Sequence, residues 1–581
     1  MEINTKYTLE NRRFVIGGAV VLLVLIFIIR LFFLQVVDSD YKAWADSNAF
    51  LKKTLIPSRG IIYDRNGKLL VYNQPSYEVM LVMREIQPFD TLDFCNILGI
   101  TKELFVKRIA EIKNRRLNPG YSSYVPQVFM NHLSAQECGV LQEKLYKFPG
   151  FYIQNRTIRE YEYPYGAHLL GNIGEVNQGD IEKDPYYVQG DNAGRSGVEL
   201  SYEEALRGVK GVEILLRDAH GRIKGRYEEG RHDVAPVSGK NLTLSIDMDL
   251  QALGEKLMQN KRGSIVMIEP ETGEVLCLVS SPSYDPNLLV GRQRGKNHIM
   301  LSKNSDKPLL DRAIMGRYPP GSTFKILTTL EYIQEHADYE NYSYTCTGSY
   351  TVGNHTIHCY GNKSHGTQNL RQAFANSCNA FYASLGMELD IDQFGQLCNK
   401  MLFNTSLPTD LQASKSSFVL DKSDGSSAIM ATSIGQGQTL VTPFHMALLV
   451  SAINNDGVLM KPYVLDRVES SDGTLVEQYE PEEYGTLMTT DEAAILKDYM
   501  NYVVETGTGK KLSGQSYEAA GKTGSAEYST GADSSHSWFV GYAHRDDKSD
   551  IAIAVIVEKA GVGSEYAVPI AKEVFDAYYN E

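Results

Sequence analysis

Residues 14–37 constrain this chain more than any other stretch, because they are apolar throughout apart from Arg30 and Gln35. A helix that is apolar on every side has no face to turn toward water, so it must be buried in protein or in lipid. At a rise of about 1.5 Å per residue the run is about 36 Å long, enough to cross a bilayer core. Lys6, Arg12 and Arg13 precede it, and Asp38, Asp40 and Asp46 follow it. The basic flank stays in the cytoplasm, which places residues 1–13 inside and everything after residue 37 outside. Ala43-Trp44-Ala45 matches a signal-peptide cleavage site. The apolar run is longer than a secretory signal carries, so an uncleaved single-pass anchor in the cytoplasmic membrane is expected.

The rest of the 581 residues suffices for two or three domains. A net charge of −14 argues against a nucleic-acid ligand, which selects basic surfaces. Seven cysteines in so long a chain are too sparse for a disulfide scaffold. Residues 242–246 alternate, and residues 263–268 and 275–279 are strand-like runs joined by the turn Glu269-Pro270-Glu271-Thr272-Gly273-Glu274. Residues 538–542 and 551–557 form a second strand pair, and residues 568–579 have helical spacing. Strands at both ends with helices between predict one α+β domain over residues 240–581. Residues 38–239 are polar and mixed, and their composition alone suggests no chemistry.

Chemistry enters with three short motifs in a fixed order: Ser322-x-x-Lys325, Ser377-x-Asn379 and Lys522-Thr523-Gly524. Singly they are weak. Ser39-x-x-Lys42 and Ser302-x-Asn304 match the first two as well, Ser322 reads equally as a helix N-cap, and Lys522-Thr523-Gly524 reads as a turn. A phosphate loop is excluded, because the required glycine position holds Ser516. Together the residue types suit acyl transfer. A Ser hydroxyl needs a base to become a nucleophile. A Lys is a base only when neutral, a state favoured by burial and by a second cation, for which Lys522 is the candidate. A helix start at Ser322 offers N–H groups to an oxyanion. A strand through Thr523, Gly524 and Ser525 offers hydroxyls and an N–H for a substrate carboxylate, with Gly524 allowing close approach to the backbone.

The ordered set resembles that of the serine β-lactamases and penicillin-binding proteins, and the likeness to class B penicillin-binding proteins runs along almost the whole chain. Pro57-Ser58-Arg59-Gly60-Ile61-Ile62-Tyr63-Asp64-Arg65 is similar to that family's opening motif outside its anchor. Arg159, Tyr163-Pro164-Tyr165-Gly166 and Gly194-Arg195-Ser196-Gly197-Val198-Glu199 resemble its pedestal, and Gly435-Gln436-Gly437 a segment of its catalytic domain. Ser280-Ser281-Pro282-Ser283-Tyr284-Asp285-Pro286-Asn287 is most like the elongation-type members. The resemblance implies a pedestal over residues 38–239 and a transpeptidase domain of the serine β-lactamase-like fold over residues 240–581. It implies D-Ala-D-Ala transpeptidation of peptidoglycan stem peptides, with Ser322 as nucleophile, Lys325 as base, Ser377 and Asn379 relaying protons and positioning the substrate, and Lys522, Thr523 and Ser525 holding its carboxylate. It further implies acylation by β-lactams, nascent glycan strands as substrate, a polytopic rod-shape-type glycosyltransferase and other elongation-complex proteins as partners, and no cofactor for the chemistry. A β-lactamase, a β-lactam sensor and a silent scaffold for the polymerase are the alternatives. A sensor needs more cytoplasmic chain than the residues before the anchor supply.

Cys346, Cys359, His365 and Cys378 have the spacing C-x12-C-x5-H-x12-C. Three thiols and an imidazole suit tetrahedral Zn2+ with a structural role. A Cys346–Cys359 disulfide with His365 as an ordinary loop residue is the rival reading, and His358 competes as fourth ligand. The resemblance adds that some elongation-type relatives carry a metal beside this motif.

Overall fold

The computed structural model describes residues 9–32, 50–114, 121–123, 126–217, 223–527 and 535–580. Helix α1 (Leu9–Phe32) leaves its side chains from Phe14 onward exposed, and among the described residues it alone is long and apolar enough to cross a membrane. It starts five residues before the apolar run. The last residues of the expected anchor (33–37), the acidic flank, Ala43-Trp44-Ala45 and the Ser39-x-x-Lys42 copy lie outside the described residues.

The pedestal is a long antiparallel ribbon. Strand β1 (Leu69–Leu81) pairs with β2 (Phe151–Tyr161) from Val71 opposite Tyr161 to Leu81 opposite Phe151. At about 3.4 Å per residue the ladder is a rod about 35 Å long. Its far end closes on a small core of aromatic rings, with Phe89, Phe94, Phe129 and Phe148 around Phe151. Its near end is held by buried charge. Glu199, fully buried, accepts from Arg159 Nε and Arg59 Nε, each at 2.6 Å, and Arg59 also reaches Glu203 at 2.5 Å. Burial alone would raise the Glu199 carboxyl, but the two guanidiniums outweigh it and hold the group below its usual range. Residues of the opening motif and of the pedestal motifs therefore meet in one knot, since Arg159 also donates to Gly60 O at 2.6 Å.

Backbone pairing fuses this pedestal to the second unit. Asn241–Leu244 pairs in parallel with Ile62–Tyr63 and antiparallel with Leu465–Glu469, so one seven-stranded sheet carries strands from both sides of residue 240.

The second unit is a five-stranded antiparallel sheet covered on both faces. Strands β3 (Gly263–Ile268), β4 (Val275–Ser281), β5 (Glu518–Glu527), β6 (Ser535–Arg545) and β7 (Lys548–Val557) lie in the order β4-β3-β7-β6-β5. Helices α2 (Lys325–Glu335), α3 (Asn379–Gly386) and α4 (Pro443–Asn454) lie on one side and α5 (Ala567–Asn580) on the other. The alternation of the strands decides which residue meets which layer. Ile265, Met267, Ile553 and Val555 pack on Val568, Val574 and Phe575 of α5, while Val266, Ile268, Ala552 and Ala554 join the core of α2 and α4. Both faces are dry, which is why these strands read as continuous apolar runs. The α+β class and the terminal strands and helix agree with the sequence reading. Strand β5 forms one edge of the sheet.

Neutralising the buried carboxylate should show how much the pedestal rests on it. Glu199→Gln leaves two buried guanidiniums short of charge and should destabilise the detergent-solubilised protein by about 3–5 kcal/mol. Asp93→Asn, which breaks the exposed pair with Lys147, should change stability by no more than about 1 kcal/mol. Denaturant unfolding of both variants checks the contrast.

Candidate active site

Ser322 does not begin the helix. Residues Gly321–Phe324 form a 3-10 turn, and α2 starts at Lys325. The N-cap positions are Pro320 and Phe324, so Ser322 caps neither element. Three residues per turn place i directly under i+3, which lines Ser322 up with Lys325 more closely than an α-helix would. The turn is gripped from two sides. Gly321 N donates to Gly435 O at 2.8 Å, and a Cβ on Gly435 would lie 1.9 Å from Gly321 O. On the other side a Cβ on Gly321 would lie 2.9 Å from Ser525 O, and the fully buried Trp538 donates through Nε1 to Pro319 O at 3.1 Å. The half-buried Ser322 is thus pinned against the edge strand β5.

Lys325 is fully buried, and among the described residues its hydrogen-bond acceptors are all uncharged. Its Nζ donates to Asn379 Oδ1 at 2.7 Å, to Ser377 O at 2.9 Å and to Ser377 Oγ at 3.3 Å. Burial pushes its amine down to about 8, against the opposing pull of the Cys378 and Cys359 thiols. Lys522 is also fully buried and is pushed well below the usual lysine range, first by burial and then by repulsion from Lys325. Burial is the larger cause for both lysines, as the sequence reading expected for Lys325.

Ser377 and Asn379 flank a sharp corner. Ser377 takes φ of +54°, a left-handed conformation that a non-glycine residue holds only when its surroundings impose it. Cys378 N donates to Ala373 O, and the Cys378 thiol caps α3 by accepting from Phe381 N at 3.4 Å. Asn379 Nδ2 donates to His358 O at 3.0 Å. The corner therefore turns Ser377 and Asn379 toward Lys325 and Cys378 away from it. The Ser302-x-Asn304 copy ends an exposed surface helix, with Ser302 Oγ donating to Ile299 O.

On β5, Lys522, Thr523, Gly524 and Ser525 sit opposite Val540, Phe539, Trp538 and Ser537. Thr523 Oγ1 lies 2.5 Å from Thr508 Oγ1. Gly524 also serves packing: a Cβ there would lie 3.0 Å from Trp538 Cβ and 3.0 Å from Thr323 Cγ2, so the glycine lets the strand pack on the Ser322 turn. Trp538 and Thr508 have no local sequence signal for these contacts, because each acts on a residue distant in sequence or on another element.

Cys346, Cys359, Cys378 and His365 converge, with all four ligand atoms within 4.8 Å of one another. Cys346 Sγ lies 3.6 Å from Cys359 Sγ and 3.6 Å from His365 Nδ1, and Cys359 Sγ lies 3.7 Å from Cys378 Sγ. The cysteines are free, with no Cys346–Cys359 bond, and His365 rather than the exposed His358 joins the group. Zn–S bonds of about 2.3 Å place tetrahedral sulfurs about 3.8 Å apart, so these thiols stand at the spacing such an ion requires. Backbone N–H groups of Gly348, Ala380 and Phe381 point at the three sulfurs, each at 3.4 Å, as donors do around metal-bound thiolates.

Comparison with known proteins adds to this geometry. Residues 263–578 match the family model described as "Penicillin binding protein transpeptidase domain", and residues 54–244 match "Penicillin-binding Protein dimerisation domain". The peptidoglycan D,D-transpeptidase MrdA of Acinetobacter baumannii is 31% identical, across 98% of this chain and 87% of the relative. MrdA of Escherichia coli is 27% identical, across 96% of this chain and 93% of the relative. Among solved structures, the complex between penicillin-binding protein PBP2 and MreC from Helicobacter pylori has a TM-score of 0.75 at 24% identity, covering 91% of this chain and 99% of that one. PBP2 of Pseudomonas aeruginosa in complex with WCK 5153 has a TM-score of 0.66 at 24% identity, covering 91% of this chain and 97% of that one.

Proposed function

This chain belongs to the penicillin-binding protein transpeptidase family, and from that premise we propose how its own residues carry out D,D-transpeptidation of peptidoglycan. The single observation that carries the reading is the buried Lys325 amine, bound to Ser377 and Asn379 beside the Ser322 turn. Neutral Lys325 takes the proton of Ser322 Oγ, which attacks the carbonyl between the two D-alanines of a stem pentapeptide. The N–H groups of Ser322 and Ser525 stabilise the oxyanion. Ser377 passes the proton to the leaving amine, and the last D-alanine departs. The amine of a neighbouring stem then attacks the acyl-enzyme, forms the crosslink and regenerates Ser322. Asn379 positions the substrate amide, and Lys522, Thr523 and Ser525 hold the terminal carboxylate. An anionic substrate supplies the counter-charge that lets Lys522 carry its proton in a buried position. No cofactor enters the chemistry.

The chain works as a cell-wall enzyme of the outer face of the cytoplasmic membrane, held by α1 with its N-terminus in the cytoplasm. Its role is in elongation, beside a polytopic rod-shape-type glycosyltransferase. Two similar structures support that setting: the Helicobacter pylori PBP2 complex with MreC, and a peptidoglycan synthase complex that coordinates polymerization and crosslinking.

The thiol cluster holds a structural Zn2+ through Cys346, Cys359, Cys378 and His365. Four protein ligands leave no open position, so the ion staples the hairpin that carries His358 to the corner that carries Ser377 and Asn379.

A fluorescent penicillin should label the detergent-solubilised protein covalently at Ser322, and Ser322→Ala should take no label. Labelling of that variant at the wild-type level would overturn the assignment of the nucleophile. The acylation rate should follow the neutral fraction of Lys325. It should rise about tenfold per pH unit below about 8 and level off above it, a profile that stopped-flow labelling between pH 6 and 9 resolves. Protein purified without chelator should contain close to one zinc per chain by mass spectrometry, and Cys346→Ser and Cys378→Ser should each lose it.

A further inference from the structure

The loop between the helix Thr490–Glu505 and strand β5 carries a hydroxyl that the acyl-transfer mechanism does not use. Gly507, Thr508 and Gly509 are wedged between the two halves of the site. Gly507 and Gly509 both donate to Val503 O at 3.0 Å, and a Cβ on Gly507 would lie 2.4 Å from Ala375 O. Thr508 N in turn reaches Ala375 O at 3.4 Å, two residues before Ser377. The loop is therefore seated on the arm that bears Ser377, while its side chain crosses to the other arm. Thr508 Oγ1 meets Thr523 Oγ1 at 2.5 Å, a short O–H···O contact between a half-buried hydroxyl and one that is only 5% exposed. The direction of that bond matters. A hydroxyl that accepts one hydrogen bond donates its own proton more strongly. The contact admits either hydroxyl as donor; an anionic ligand at Thr523 selects the arrangement in which Thr508 donates, because that leaves the Thr523 proton for the ligand, which in the proposed mechanism is the substrate carboxylate.

We propose that Thr508 is a positioning residue of the carboxylate subsite, which orients and polarises the Thr523 hydroxyl toward an anionic ligand and ties that subsite to the Ser377 arm. The inference rests on the assignment of Thr523 to the substrate carboxylate. It predicts a role confined to ligands that bear that carboxylate. Recognition of the D-Ala-D-Ala terminus and of a penicillin acid both depend on it, and attack on the carbonyl does not.

The test compares benzylpenicillin with its carboxylate methyl ester as acylating agents of the full-length protein in detergent. Thr508→Val keeps the shape and removes the hydroxyl, and should lower the second-order acylation rate with the acid about five- to tenfold, in the apparent binding constant rather than in the limiting rate. The ester should react with wild type and Thr508→Val at rates within about twofold of each other. Thr508→Ser, which restores the hydroxyl, should recover the preference for the acid. Equal loss with acid and ester would reduce Thr508 to a structural prop and overturn the proposal, as would an unchanged acid rate in Thr508→Val or a Thr508→Ser variant that fails to recover. Wild-type protein that takes no penicillin would instead overturn the assignment of Ser322 and the carboxylate subsite together, so the two failures are distinct.

Discussion

A lysine buried with no carboxylate beside it among the described residues is the constraint on which the active half of this protein depends. Water no longer solvates Lys325, and its partners are an amide oxygen, a hydroxyl and a backbone carbonyl. A buried ammonium in such company is expensive, so the neutral amine is favoured and the group becomes a base near neutral pH. The three acceptors must converge from a corner in which Ser377 sits at positive φ. Such a residue is strained by about 1–3 kcal/mol and persists only when the surroundings over-determine it. Here the corner is held by Cys378 on Ala373 and by Asn379 on His358, and Ala380 N on Cys359 Sγ adds a second tie to the segment that bears His358.

The second constraint is the fit of three backbones. The Ser322 turn lies between Gly435 on one side and strand β5 on the other, with Gly321, Gly435 and Gly524 each at a point where a Cβ would collide. Packing this close leaves little freedom for Ser322 to drift relative to β5, which matters for the proposed chemistry because an error of 1 Å in such a site can reduce rates about a hundredfold. The sheet behind it is dry on both faces and gives that strand a rigid backing. Through Asn241–Leu244 the pedestal is joined to the second unit by backbone pairing.

The order of the three motifs, the apolar N-terminal run, the terminal strands and the spacing of Cys346, Cys359, His365 and Cys378 are all visible in the linear chain. Each rests on local physics: length against bilayer thickness, the period of apolar residues, or the residue types a reaction needs. These features determined the fold class, the anchor and the family of chemistry. What only the tertiary structure decided is which copies of a weak motif matter and what each group does there. Ser302 and Ser377 look alike in sequence, but one ends an exposed helix and the other faces a buried amine. The same division explains details that no local pattern carries. Gly524 also lets β5 pack on the Ser322 turn, and His365 rather than His358 joins the three thiols, because steric contact and ligand convergence are properties of surroundings assembled from residues far apart in the chain.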